Sequence, residues 1–377
     1  MNAGRTVLSL ESLLQDDLEY VCAALGAEFT AMAGKQLLIT GGAGFLGYYL
    51  VHAALHWNRS RTPGQRISVT VYDNYARGVP RWLKSMEKEP GLTLVRHDMT
   101  RPLPPDMGHF DYIVHAAGLA SPKVYRKHPL ACIDANIVGL RNLLDYSVGE
   151  REKGRPISGF LFYSSSEIYG DPVPEAIPTP ESYWGRVSCT GPRACYDESK
   201  RFGETLCVTF ARAENLPVKI ARPFNNYGPG LKITDGRVIP DFCGDVLAGR
   251  DIVMLSDGSP TRTFCYASDA IIGYYKVLVR GQSGESYNVG IERPEITMRH
   301  LAECVVSTAR ELFGYRGKVV LGTSQESAYL VDNPNRRCPS IAKAREQLGF
   351  APKIDIDEGI YRTLCWYQHY SSADQES

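Results

Sequence analysis

From Lys35 onward, short runs rich in apolar and β-branched residues alternate with segments whose apolar positions recur at helical spacing. Six runs read as strands: Leu37–Thr40, Val69–Tyr72, Leu92–Val95, Tyr112–His115, Phe160–Tyr163 and Val218–Ala221. Between them, Leu46–His56 and Ile133–Tyr146 carry the helical pattern. Strands alternating with helices in this way predict a parallel sheet covered on both faces. The expected fold class is α/β: a doubly wound parallel Rossmann sheet over residues 35–225, followed by a smaller lobe. Ahead of it, Leu10, Leu13, Leu14, Leu18, Val21 and Leu25 recur at helical spacing, with Ser9 as cap and Gly26 as stop. Residues 1–34 are therefore expected to form a helical extension packed on the body or on a sister subunit. Asp171–Pro192 reads as a long loop over the sheet edge. Beyond Asn225, turn signals at Tyr227–Gly230, Asp235-Gly236 and Asp257-Gly258 break the rhythm. Residues 226–377 are read as mainly a substrate-binding lobe, with segments returning to the Rossmann domain.

Composition narrows the partners. Lys plus Arg and Asp plus Glu number 42 each among 377 residues, and a chain without a basic excess is not expected to bind nucleic acid. The N-terminus has no basic segment leading into a continuous apolar run, so neither a signal peptide nor a membrane span is expected. The ten cysteines form no CxxC pair and the eight histidines no HxH or HExxH, so no metal is expected, and reduced thiols in a cytoplasm are the favoured setting.

Two constellations carry chemistry. The first strand runs into Gly41-Gly42-Ala43-Gly44-Phe45-Leu46-Gly47 and then into a helical pattern. Glycines there permit a tight turn and let the backbone approach a pyrophosphate seated on a helix N-terminus. Asp73 closes the second strand, where a carboxylate can accept hydrogen bonds from ribose hydroxyls and repel a 2′-phosphate, favouring NAD over NADP. Arg77 lies close by and leaves NADP open, and Asp73-Asn74 could also be a plain turn. The second constellation is Tyr196 with Lys200, which share one helical face. A lysine ammonium beside a phenol favours the phenolate, so Tyr196 is the candidate base. The fifth strand ends in Ser164-Ser165-Ser166-Glu167, at the carboxyl end of a strand, where such sheets place their sites. A hydroxyl there can bond the reacting oxygen, and Glu167 adds a proton carrier.

The glycine turn, Asp73, Ser165, Tyr196 and Lys200 resemble the extended short-chain dehydrogenase/reductase family. Within it the chain is most similar to the UDP-glucuronic acid decarboxylases. That similarity rests on Ala120-Ser121-Pro122 with Tyr125, Ser165–Pro172, Glu181–Gly185, Gly191–Arg201, Phe224–Pro229, Asp235–Val238, Thr261–Phe264 and the Asp332–Arg337 run. It covers nearly everything after Lys35. The resemblance implies one bound NAD and oxidation at C4 by Tyr196 with Lys200 and Ser165. Loss of carbon dioxide from the β-keto acid, aided by Glu167 and Arg262, and return of the hydride would follow. It further implies a cofactor site of Gly41, Gly44, Phe45, Leu46, Gly47, Asp73, Asn74, Arg77, Asp98, Met99, Ala116 and Ala117, with Tyr196 and Lys200. The substrate site it implies is Tyr125, Ser166, Arg193, Asn225, Arg237, Val238, Tyr266 and Arg336. A homodimer is implied too, paired through the Tyr196 helix and the Ile133–Tyr146 helix. Departures from the family pattern fall at Val124, at Val187-Ser188-Cys189, and at Gly230 and Leu231 after Pro229. The alternatives within the family are a nucleotide-sugar 4-epimerase and a 4,6-dehydratase. The alternative of another class is a non-catalytic NAD-binding regulator, against which Tyr196 and Lys200 both argue.

Overall fold

Buried aliphatic and aromatic side chains line the central strands on both faces, as helix-covered parallel strands require. The computed structural model describes residues 5–323, 331 and 333–370; Asp332 of the motif above lies outside them. Six strands form where expected: β1 (Gln36–Thr40), β2 (Ser68–Asp73), β3 (Leu92–Arg96), β4 (Tyr112–His115), β5 (Gly159–Tyr163) and β6 (Val218–Pro223). A seventh, the edge strand Ser286–Val289, pairs with β6, giving the all-parallel order edge–β6–β5–β4–β1–β2–β3. The order reverses between β1 and β4, and a ligand crevice is expected beyond the carboxyl ends of these strands.

Helix α1 (Leu10–Ala24) starts at Ser9, whose hydroxyl accepts from the Ser12 amide. It ends one residue earlier than the sequence implies: Leu25 closes it, and Gly26 instead opens α2 (Gly26–Ala31). α3 (Phe45–Asn58) follows the glycine turn. Leu18, Val21 and Leu25 join the core that includes β1, β2 and α3, whereas Leu13 joins a second core built from the C-terminal helices. Asp17, fully buried, ties the same places together. It accepts from Tyr49 of α3 and from Tyr266 (2.8 Å), and pairs with Arg362 of the last helix, Ile356–Tyr370 (2.6 Å). Among the described residues, no helix is long and apolar enough to cross a membrane.

Candidate active site

The cofactor half of the site begins where β1 ends. Gly41 has a φ of +71°, and a Cβ on it would lie 2.6 Å from the Ala117 backbone. A Cβ on Gly47, in the first turn of α3, would sit 2.1 Å from the Gly42 carbonyl oxygen. The turn therefore presses backbone against backbone, and Gly44 caps α3 without a side chain over its first amides. Asp73, at the end of β2, accepts from the Ala43 amide (3.0 Å) and the Tyr75 amide (2.8 Å). Burial pushes its carboxyl up, and those two bonds oppose the shift. Asn74 donates to Asp98 (3.4 Å), which also accepts from the amide and hydroxyl of Thr100. Arg77 pairs with the buried Asp235 at 2.9 Å, so the cation that left NADP open already has a carboxylate partner. Phe45, Leu46, Met99, Ala116 and Ala117 complete this wall of a cleft of about 530 Å³.

The other half is built from the ends of β5 and β6 and the helix Ala194–Ala213. Ser165 introduces a 3-10 turn, Ser166–Tyr169, and its hydroxyl accepts from the Glu167 amide (3.2 Å) and also bonds to Tyr196. The Tyr196 ring stacks on Tyr125, centroids 5.0 Å apart and planes 10° apart. Lys200 lies on the same helical face as Tyr196, as the spacing implies, but gives its hydrogen bond elsewhere. Its ammonium donates to the Tyr163 carbonyl (2.7 Å) and lies 5.8 Å from the Tyr196 ring centre. The phenol is accordingly not lowered: burial pushes it up to about 12, with the Ser165 hydrogen bond opposing and the Glu167 charge adding to the rise. Burial pushes Lys200 down to about 8.

Between the two halves lies a cluster of guanidinium groups around one carboxylate. Glu167 contacts Arg193 at 2.6 Å and Arg337 at 2.5 Å. Burial alone would raise its pKa, but Arg337, Arg193 and Arg262 together outweigh burial and hold it below the usual range. Arg262 is fixed by backbone carbonyls, those of Pro334 (2.5 Å), Thr261 (2.7 Å) and Asn335 (3.0 Å). Burial, and Arg337 beside it, push it down to about 9. Arg237 donates to the Ala120 carbonyl (3.3 Å) and sits 3.2 Å from Asp235, and Val238 opens the helix Val238–Leu247. Asn225, at φ +43°, donates to the Thr263 carbonyl (2.8 Å).

All the expected site residues line the cleft except two. Tyr266 is fully buried and points to Asp17, and Arg336 faces outward to Glu295 (2.6 Å). Strand alternation explains the second: in Arg336–Arg337 only one arginine can face inward, and it is Arg337. The sequence reading missed Arg337. The signal available was the paired arginines in a short strand, without the register that says which one turns inward.

A doubly wound sheet with a glycine-rich first turn, and a tyrosine and lysine at the crevice, defines a dinucleotide-dependent enzyme class. The chain belongs to the NAD dependent epimerase/dehydratase family, whose model matches residues 37–290. It is 38% identical over 327 residues to UDP-glucuronic acid decarboxylase 3 of Arabidopsis thaliana, covering 86% of each chain. To UDP-glucuronic acid decarboxylase 1 of Xenopus tropicalis it is 34% identical over 339 residues, covering 89% of this chain and 72% of that one. Among solved structures, it is similar to an epimerase of Methanothermobacter thermautotrophicus (TM-score 0.78, 24% identity, 94% of this chain and 98% of that one). A dTDP-glucose 4,6-dehydratase of Streptomyces venezuelae, solved with NAD and TYD bound, matches at TM-score 0.75 and 25% identity (89% and 98%).

Proposed function

We propose that the protein decarboxylates UDP-glucuronate to UDP-xylose through a 4-keto intermediate, regenerating its NAD in each turnover. The observation that carries the reading is the three-arginine cluster around Glu167, set beside Ser165 and Tyr196 in one cleft. Cationic walls next to an oxidising base suit a sugar that bears a carboxylate. The glycine turn, too tight for a Cβ at Gly41 or Gly47, would hold the pyrophosphate of NAD, and the Asp73 carboxylate, tied to that turn through the Ala43 amide, its ribose. Bound there, NAD supplies the acceptor that takes a hydride from C4 and later returns it. Tyr196 takes the C4 hydroxyl proton, with Ser165 bonded to the same phenol and the Lys200 ammonium 5.8 Å from the ring centre. The resulting ketone is β to the carboxylate, so the carbon–carbon bond can break with its electrons received as an enolate. Arg262, immobilised by backbone carbonyls, offers fixed positive charge to that enolate. Glu167 and Arg337, paired in the same cleft, would flank the carbon that has lost carbon dioxide and orient the water that returns its proton.

Incubating the protein with UDP-glucuronate and weighing the product tests this. Loss of one carbon dioxide is expected, and a product of unchanged mass, as an epimerase gives, would overturn it.

We further infer a homodimer in a reducing cytoplasm. Leu130, Ile133 and Val138 on the helix Pro129–Glu152 and Phe202 on the Tyr196 helix expose apolar surface on two helices that pack together, which supports pairing with their copies. The ten cysteines stand as free thiols, which suits a reducing compartment. Light scattering at micromolar concentration should give twice the chain mass; a monomer would refute the dimer.

A further inference from the structure

Asp197 follows the candidate base directly and is buried, yet it does not line the cleft. It sits one helical turn beyond Arg193, and the two share an uncomfortable geometry. Arg193 gives its Nη2 to Glu167 at 2.6 Å, whereas its Nε stands 3.6 Å from Asp197 Oδ2, beyond hydrogen-bond length. Arg193 Nε and Asp197 Oδ1 are both buried with no hydrogen-bond partner among the described residues. One guanidinium thus faces two carboxyl groups, tightly bound to one and loosely set against the other.

We propose that Asp197 is a positioning residue for the reaction: as a neutral acid it leaves Arg193 committed to Glu167, and as a carboxylate it draws Arg193 away.

The surroundings say which state the resting protein holds. Glu167 faces Asp197 from the turn after β5, Arg337 from the strand Arg336–Arg337, Tyr125 from the short helix Pro122–Lys127, and Cys132 from the helix Pro129–Glu152. Arg193 and Cys195 face it from the start of its own helix. Burial and the Glu167 charge push the Asp197 carboxyl up, against the opposing pull of Arg193 and Arg337. Two carboxyl groups that share one guanidinium do not ionise independently; the first proton lost belongs to the better-paired group, here Glu167. Ionising Asp197 as well would set a second negative charge beside Glu167 and offer Arg193 a competing acceptor. The Arg193 guanidinium lies 6.0 Å over the Tyr125 ring, and Tyr125 stacks on Tyr196, so a shift of Arg193 reaches the phenol as well as Glu167.

The inference rests on the decarboxylase reading only for its kinetic test. For carbon dioxide release, kcat of the wild type should fall roughly tenfold per pH unit once Asp197 has lost its proton. Asp197→Asn, permanently neutral, should move that alkaline limb upward until Lys200, at about 8, takes over. KM should change little, because Asp197 lies outside the cleft. Asp197→Glu should keep a limb, displaced. A profile of Asp197→Asn that superimposes on the wild type overturns the proposal. A second measurement needs no turnover and so is separate from failure of the decarboxylase reading. In infrared spectra of substrate-free protein labelled with carbon-13 aspartate, buried Asp17 and half-buried Asp241, both pushed up to about 6, also contribute protonated-carboxyl bands, so the reading is the difference between the wild type and Asp197→Glu. That difference should contain one aspartate carboxyl band that bleaches as pH rises through neutrality. Wild-type and Asp197→Glu spectra that superimpose over this range overturn the proposal equally.

Discussion

Tyr196 and Glu167 share one cluster, but their charge states separate their duties. The phenol is held neutral by burial, so it can act as a base only when substrate and cofactor charge favour the phenolate, whereas Glu167 is already ionised among its arginines. Tyr196→Phe should therefore stop the first hydride transfer, lowering kcat by roughly 10²- to 10⁴-fold, and no NADH absorbance should appear on mixing with UDP-glucuronate. Glu167→Gln keeps the shape but removes the charge that Arg193 and Arg337 answer. It should leave hydride transfer more intact than turnover, so that NADH accumulates in stopped-flow traces or a 4-keto pentose leaks out. Wild-type turnover by Glu167→Gln would reduce Glu167 to a structural turn residue. The tyrosine and lysine could be read from spacing, because four residues on a helix fix a shared face. Arg337 could not, because its partner Glu167 is 170 residues away and only the folded register brings them together. Nor could spacing say that Lys200 would point to the Tyr163 carbonyl rather than to the phenol.

The legible elements are those whose pattern is dense. α1 announced itself through Leu13, Leu18, Val21 and Leu25, all buried in the fold, and its cap Ser9 behaves as its chemistry requires. The edge strand Ser286–Val289 escaped notice because half of it is polar: Asn288 is buried but satisfied, receiving the Tyr169 hydroxyl and donating to the carbonyls of Thr179 and Ser340. An apolar-run criterion rejects such a strand, and only the neighbours explain it. α1 also shows how an element can matter without touching the site. It contributes to two cores at once, and Asp17 bonds to both sides. Leu18→Ala should cost about 2–5 kcal/mol in chemical denaturation, the range of a buried leucine truncated in a core. A cost within about 0.5 kcal/mol, as for a surface change, would mean that α1 merely rests on the body.

At the scale of the whole molecule, the doubly wound order was readable because each strand and its following helix are local and regular. Much of the chain beyond β6 was not, since part of it is stitched from two- and three-residue strands that pair across long stretches of chain, such as Arg336–Arg337 against Thr261–Arg262. That stitching is what delivers Arg262 and Arg337 to a cleft whose other wall is the glycine turn, so cofactor and substrate groups meet only in the complete fold. This arrangement bears on how the cofactor is held. A reaction that ends with its cofactor in the starting oxidation state gains nothing by releasing it, and a deep cleft walled by both parts of the chain can retain it. NAD should therefore be recovered from denatured, freshly purified protein. Added NAD should raise the melting temperature, a gain equivalent to about 2.7 kcal/mol at a hundredfold excess over Kd. NADP should give much less, because the Asp73 carboxylate would repel a 2′-phosphate and Arg77, the nearby cation, is paired with Asp235. Equal stabilisation by NADP, or recovery of NADP from the protein, would overturn the role given to Asp73 and would point to Arg77 leaving Asp235 for the phosphate.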